Sequence, residues 1–465
     1  MADQLNRYRG MLCLVIALAL QKCWLEIMTV GSLLSFPAMA LERHGVFFLA
    51  EGLTMILLAC AAPRVRGIAE HRFAYGAAAA MLVASMALAV LVGSGGSAAT
   101  ALTVVEAVAG GVAASALYLF IVSSLCRLSP VLAVLVYLVG TILSFYLIVL
   151  CYALPTEIVF AAAWILPVPL GVTAFKGREL LGKSEAPATP VLGEVPHAAW
   201  KVLVLMAMLG FTFAFKESAM GNALFSSGSM SALGSHGVEV AFFLGIVFLG
   251  DRFRYAQIVR FALPVAAVLF LFVAPDTDAT KMISDVAGAG FYSLVTIYAL
   301  FTLFVLCSRY AYAPLRLFGL VLGAHNLCTM LGNVASQGLG AVAEGGSLHY
   351  YLPLAVALAA VGCMLFLVVD GDAFSLWPRS LAVAGGKPAD PAEALRSSCA
   401  AVARERGLTP REEEIVLLIA EGLSFPDIQE RLCVAVGTMK THRRNIYAKC
   451  GVHSKEALID LINHA

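Results

Sequence analysis

Residues 130–153 read PVLAVLVYLVGTILSFYLIVLCYA, twenty-four positions without an Asp, Glu, Lys, Arg or His. At about 1.5 Å per residue a helix of this length covers ~36 Å. The hydrocarbon core of a bilayer is about 30 Å thick and needs roughly 20 apolar residues to cross. The stretch therefore reads as a transmembrane helix. Working outward from it, comparable runs occur at roughly 11–34, 45–62, 73–93, 100–125, 157–175, 200–221, 236–250, 256–274, 286–307, 314–340 and 350–370. Twelve spans are predicted.

Composition agrees. The 465 residues are 60% hydrophobic and 13% charged, with mean hydropathy +0.87. A soluble domain is about 45–50% apolar and about 25% charged. Of the 61 charged residues, 24 lie in 371–465 and 37 in 1–370. A lipid-solvated part is thus followed by an ordinary water-soluble module, which excludes a secreted protein, a soluble enzyme and a disordered tail. The net charge of +1 averages two unlike parts and says nothing about partners. Of the eleven cysteines, Cys13, Cys60, Cys126, Cys307 and Cys363 sit in apolar runs, where a thiol behaves as a small hydrophobe. Cys399, Cys433 and Cys450 form no CxxC or Cys/His cluster, so neither a disulfide framework nor a zinc site is indicated. The apolar run after Arg7 and Arg9 is too long for a signal peptide and lacks a cleavage site, so an uncleaved first span is expected.

An even number of spans puts both termini on one side. The loops of that side hold fifteen Lys and Arg, among them Arg64, Arg127, Lys176, Arg178 and Arg309, against Arg43, Lys216 and Lys281 on the other. The positive-inside rule then places both termini in the cytoplasm of a cell with this protein in its inner membrane. The spans also repeat. His44-Gly45-Val46 opens the second and His236-Gly237-Val238 the eighth. Arg64, Arg66 and Arg72 recur as Arg252, Arg254 and Arg260, and Arg127 matches Arg309. Two six-span repeats, 1–175 and 200–370, are joined by a Pro- and charge-rich cytoplasmic connector at 176–198.

Twelve spans in two parallel halves with a central cytoplasmic loop resemble the major facilitator superfamily over residues 1–370. That family's loop after the second span carries a G-x-x-x-D-R-x-G-R-K-like string. Here it reads Ala61-Ala62-Pro63-Arg64-Val65-Arg66-Gly67, without the Asp, and the repeat copy Gly250-Asp251-Arg252-Phe253-Arg254 keeps more of it.

Ionisable residues inside a span are costly and face a cavity or a partner. Lys22 and Glu26 share a face of the first span at i,i+4. Glu106 lies in the fourth span, Lys216 and Glu217 in the seventh, Glu51 in the second and Glu239 in the eighth. The family resemblance implies that the first, fourth, seventh and tenth helices line a central cavity. Lys22, Glu26, Glu106, Lys216 and Glu217 are then the candidate ligand site, with structural ion pairing as the alternative. Trp24, Tyr118, Asn222, Tyr292, Tyr298, His325 and Asn326 are further polar or aromatic candidates, each read first as packing. No cofactor, metal spacing or nucleophile–base pair stands out, and no enzymatic activity is expected.

From residue 371 the character changes. A Gly- and Pro-containing linker (371–389) leads to the capping box Asp390-Pro391-Ala392-Glu393 and a short amphipathic helix carrying Leu395, Cys399 and Val402. A domain at 405–465 follows, with a second capping box at Thr409-Pro410-Arg411-Glu412, a helix to Gly422, and a short helix capped by Ser424. A basic helix then begins near Val436 with Lys440, Arg443, Arg444 and Lys449, and a fourth helix is capped by Ser454. A basic helix after a short helix and tight turn is the arrangement that enters a major groove. The strings LTPREEEIVLLIAEGLS (408–424) and GTMKTHRRNIYAKCGVHSKEAL (437–458) resemble the LuxR-type, or NarL/FixJ-type, helix-turn-helix family. The resemblance implies that Lys440, Thr441 and Arg444 face bases, that Thr438, His442 and Arg443 lie near the backbone, and that the fourth helix dimerises through Leu458, Leu461 and Ile462. The family's Ser at the start of the third helix is Ala435 here, which removes a cap worth about 1 kcal/mol.

The fold class expected is all-α, a polytopic bundle of twelve helices plus a small four-helix domain. The function expected is a bacterial membrane-embedded one-component transcriptional regulator that senses a small molecule or a membrane signal and binds double-stranded DNA. The alternative is a secondary transporter with an appended regulatory domain.

Overall fold

The computed structural model describes residues 2–30, 40–65, 70–93, 99–182, 197–219, 231–249, 278–309, 313–342, 391–420, 425–432, 434–452, 454, 458–459 and 461–462. The chain divides into two compact units, Met1–Val383 and Ala384–Ala465. Among the described residues both are helical, without a strand.

The first unit contains α1 (Ala2–Leu25), α2 (Ala40–Cys60), a one-turn α3 (Ala62–Val65), α4 (Arg72–Gly93), α5 (Ala99–Leu125), α6 (Pro130–Ala153), α7 (Thr156–Ile165), α8 (Pro167–Leu180), α9 (His197–Ala219), α10 (Ser231–Leu244), α11 (Asp278–Arg309) and α12 (Pro314–Val342). α1 runs into a π-helical turn at Glu26–Val30 and α10 into another at Gly245–Leu249. Seven of these helices are long and apolar enough to cross a bilayer. α7 and α8, bent by 40° where they join, meet the same length and apolarity when taken together. The bend falls where Pro167 opens α8, a residue with no N–H to continue the ladder. With the shorter apolar helices Gly45–Cys60 and Leu233–Leu249, ten of the twelve predicted runs coincide with described helices. The runs 256–274 and 350–370, with Arg252, Arg254 and Arg260, lie outside the described residues, as do most of the connector and the linker 371–389.

In the amino-terminal half α1 packs on α6 and α8, and α5 packs on α2 and α4. In the other half α9 packs on α12 and α10 on α11. The halves meet where α2 lies against α12 and α6 against α10. Small residues allow the first of these approaches. A Cβ on Gly323 would stand 2.7 Å from Ile56 Cγ1 and 2.9 Å from the Gly52 carbonyl, and one on Gly319 2.6 Å from the Met55 carbonyl. Gly319 and Gly323 form a G-x-x-x-G step, which lets helix backbones touch in lipid.

At the ends predicted to face the cytoplasm, Glu70 joins two arginines. It lies 2.5 Å from Arg178 Nη2 and 3.0 Å from Arg127 Nη2. Arg127 also donates to the carbonyls of Arg178 and Gly182, and Arg178 to Ser123 Oγ at 3.1 Å. Partial burial would raise the Glu70 carboxyl, but the two guanidinium groups outweigh it and hold the carboxyl below its ordinary range. The loop after the second span thus has an acid, six residues beyond Arg64.

The second unit holds α13 (Pro391–Glu405), α14 (Pro410–Ala420), α15 (Phe425–Leu432) and α16 (Val436–Cys450), with 458–459 and 461–462 also helical. Ile415, Val416, Ile419, Ile428, Met439, Ile446, Leu458 and Ile462 form one core, which Cys399 and Val402 of α13 complete. The predicted amphipathic helix is therefore part of the domain's packing.

Candidate nucleic-acid interface and intramembrane polar cluster

In α16 the buried residues are Met439, Ile446 and Cys450. Spacings of seven and four set one stripe inward. The opposite face presents Thr438, Lys440, Thr441, Arg443 and Arg444 to solvent, with His442 half-buried at its margin. Two contacts orient this face. The Arg443 guanidinium lies 5.2 Å from the ring centre of Phe425, the first residue of α15. Thr441 Oγ1 donates to the Gly437 carbonyl at 3.1 Å. Ala435 is in the extended conformation of an N-cap but makes no side-chain capping bond. At the other end Gly451 adopts φ 70°, and the N–H groups of Gly451 and Val452 close on the Tyr447 carbonyl. That left-handed position favours glycine.

The predicted capping box at α14 is formed. Thr409 N–H donates to Glu412 Oε2 at 2.8 Å, and Glu412 N–H to Thr409 Oγ1 at 3.3 Å. Lys449 adds 2.7 Å to the same carboxylate. Burial pushes the Glu412 carboxyl up, and Lys449 with the Thr409 donors brings it below its ordinary range. Leu458 and Ile462 are buried in the unit's own core, and Leu461 is half-buried against it.

The membrane unit gathers polar side chains from both halves. Lys22 Nζ on α1 donates to the Tyr137 hydroxyl on α6 at 3.4 Å and lies 5.1 Å from that ring's centre. On α10, His236 Nδ1 is 2.6 Å from Glu239 Oε2, and the His236 ring lies 4.5 Å from that of Phe145 on α6. A second group bridges the halves at α2 and α12. Asn326 Nδ2 donates to Glu51 Oε2 at 3.1 Å. Beside it, His325 is held by the Tyr292 hydroxyl and the Met206 carbonyl, each at 2.9 Å. Glu51, Glu239 and His325 are all buried.

Of the five residues predicted for a ligand site, Lys22 is in this cluster. Glu26 and Glu106 are buried on α1's π turn and on α5, and Lys216 is half-buried on α9. The side chain of Glu217 lies outside the described residues, as does Asn222. Sequence reasoning missed Tyr137 and His236. The i,i+3 spacing of His236 and Glu239 inside an apolar run was the available signal; a tyrosine in a charge-free span carries none.

Residues 406–462 match the family described as bacterial regulatory proteins, luxR family. Two proteins named as HTH-type transcriptional regulators, Mb0914c of Mycobacterium bovis and Rv0890c of Mycobacterium tuberculosis, are each 35% identical over 103 residues. That match covers 22% of this chain and only 12% of theirs. By fold, the chain is similar to a bacterial homologue of the iron transporter ferroportin in an outward-facing state. The TM-score is 0.51 and the identity 14%, over 78% of this chain and 98% of that one. It is similar also to the human organic anion transporter MFSD10, with TM-score 0.51 and 13% identity, over 80% and 99%. At these identities the likeness is one of fold. The chain thus carries a luxR-family helix-turn-helix domain at 406–462, joined to a multi-pass membrane domain of transporter fold.

Proposed function

We propose that this protein is a membrane-embedded one-component transcriptional regulator. The membrane unit senses a small molecule or a membrane condition, and the carboxy-terminal unit binds promoter DNA. The observation that carries the reading is the exposed basic face of α16, in a luxR-family domain, on the same chain as a dozen predicted spans. Lys440, Thr441 and Arg444 read base edges, while Thr438, His442 and Arg443 engage the backbone. The domain works beside the cytoplasmic membrane, with both termini in the cytoplasm. Two copies pair through the fourth helix, where Leu461 keeps part of its surface free.

Signal passes by rocking of the two membrane halves about their α2/α12 and α6/α10 contacts. Polar groups on both sides of those contacts give a ligand something to bind differently in two states, and only such a difference shifts the equilibrium. Lys22, Glu26, Glu106, Lys216 and Glu217, together with Glu51 and Glu239, are the groups from which that site is drawn.

The test is to capture fragmented genomic DNA on the full chain in lipid nanodiscs. Enrichment of discrete sequences, lost in Arg444→Ala, supports the reading; uniform salt-sensitive retention of all fragments refutes it. A transporter with a regulatory appendage is the second reading, favoured by the transporter fold and the buried polar cluster. Gradient-driven uptake into proteoliposomes, abolished by Lys22→Met, would favour it.

A further inference from the structure

In the sequence the membrane cysteines read as small hydrophobes, but two of them meet. Cys23 Sγ on α1 lies 3.9 Å from Cys151 Sγ on α6, across 128 positions of chain. Both are free thiols. A disulfide needs about 2.05 Å between sulfurs, so closure asks for roughly 2 Å of sulfur movement, the scale of a side-chain torsion. α1 and α6 are directly packed neighbours. Cys151 stands two residues from the end of α6 and is 8% exposed, whereas Cys23 is 2% exposed. A small oxidant therefore meets Cys151 first. Among the described residues no cluster of three or more His, Cys, Asp or Glu could hold a metal ion, so the pair does not read as part of such a site.

We propose that Cys23 and Cys151 form an oxidisable dithiol that hydrogen peroxide, or another small two-electron oxidant, converts to a disulfide. The Cys151 sulfur attacks one peroxide oxygen and releases its proton. The O–O bond breaks, water leaves, and Cys151 becomes a sulfenic acid. The Cys23 sulfur then attacks that sulfur. An S–S bond forms, the S–O bond breaks, and the departing hydroxide takes the Cys23 proton as a second water. Two thiols lose two electrons and one peroxide becomes two waters. The new bond lies one residue from Lys22 and joins the same two helices as the Lys22–Tyr137 contact. Oxidation thereby fixes one wall of the polar cluster.

The experiment uses the full chain in lipid nanodiscs, reduced, exposed to hydrogen peroxide, alkylated, digested and weighed by mass spectrometry. The expected product is a linked pair of peptides containing Cys23 and Cys151, lighter by two hydrogens than the separate thiol peptides and released by dithiothreitol. In Cys23→Ser, Cys151 is expected to stop at the sulfenic acid, captured by dimedone. The proposal is overturned if peroxide leaves both wild-type thiols open to alkylation. It is overturned equally if either thiol pairs with another cysteine, or if the two jointly retain a soft metal ion and form no disulfide. The wild-type peptides decide the matter even where a variant fails to fold.

Discussion

Lys449 Nζ lies 2.7 Å from Glu412 Oε2, so the last turn of α16 is tied to the first turn of α14. The same carboxylate accepts from the Thr409 N–H. A carboxyl more acidic in the folded than in the unfolded state stabilises the fold above its unfolded value, about 4.3, and that contribution is lost as pH falls through the lower folded value. The melting temperature of the 384–465 unit should therefore fall as the medium is acidified below about pH 4.5. Glu412→Gln should flatten that dependence and cost about 1–2 kcal/mol at neutral pH, since Lys449 is partly solvent-screened. Thermal denaturation followed by circular dichroism across pH reads both effects; identical pH profiles for the two proteins would mean the pair stabilises nothing.

Arg443 and Arg444 are adjacent, yet they should report different things. Arg443 is drawn over Phe425 at the edge of the exposed face, while Arg444 is exposed beside Lys440 and Thr441. Arg444→Ala should weaken binding to a preferred sequence by about 1–3 kcal/mol and relax base preference at one position. Arg443→Ala should weaken all sequences alike and reduce the slope of log affinity against log salt by about 1. Fluorescence anisotropy with specific and scrambled duplexes at several salt concentrations separates the two. An exchange of these signatures would reverse the assignment of the arginines.

Ala435 offers a gain of function by one atom. Its φ of −67° and ψ of 152° are those of a capping residue, but it has no side-chain acceptor for the free N–H groups of α16. Ala435→Ser should supply one and add about 1 kcal/mol. In a unit of this size that is a rise of roughly 4–8 °C in melting temperature. A serine hydroxyl at this end also adds a donor for a phosphate, so affinity for DNA of any sequence should rise. An unchanged melting temperature would show that the N–H groups are already satisfied by water.

The exposed basic face of α16 was legible because a short helix with one apolar stripe has little freedom. Once Met439, Ile446 and Cys450 are apolar, the basic residues must lie outside. The fourth helix was less legible. An apolar stripe through Leu458, Leu461 and Ile462 says that something is covered, but not whether by the unit's own core or by a second copy; Leu458 and Ile462 are used inside. The spans were legible as runs of apolar residues, although α1 begins at Ala2, well before its apolar run, because helix hydrogen bonding does not stop where lipid does. What the spans bring together was mostly hidden. The Lys22–Tyr137 and Asn326–Glu51 contacts depend on the rotation of each helix about its axis, and uniformly apolar spans carry little amphipathic signal to set it.

The α2/α12 contact should be the most substitution-sensitive seam between the halves. A methyl group on Gly323 would meet the Gly52 carbonyl at 2.9 Å and Ile56 Cγ1 at 2.7 Å, and two of its three nearest atoms are backbone. Backbone cannot yield as the end of a side chain does, so Gly323→Ala should force the helices apart at a cost of about 1–3 kcal/mol. Gly338, on the same helix, has nothing within 4 Å of its added methyl. There the gain in helix propensity, about 1 kcal/mol in water, is unopposed, and Gly338→Ala should be neutral or stabilising. The two substitutions are chemically identical and differ in sign through packing alone. Melting of detergent-solubilised full-length protein, followed by size-exclusion of the surviving fraction, should place Gly323→Ala below the wild type and Gly338→Ala at or above it. If both shift the same way by the same amount, α2 and α12 are not in backbone contact, and the seam about which the halves are proposed to rock lies elsewhere.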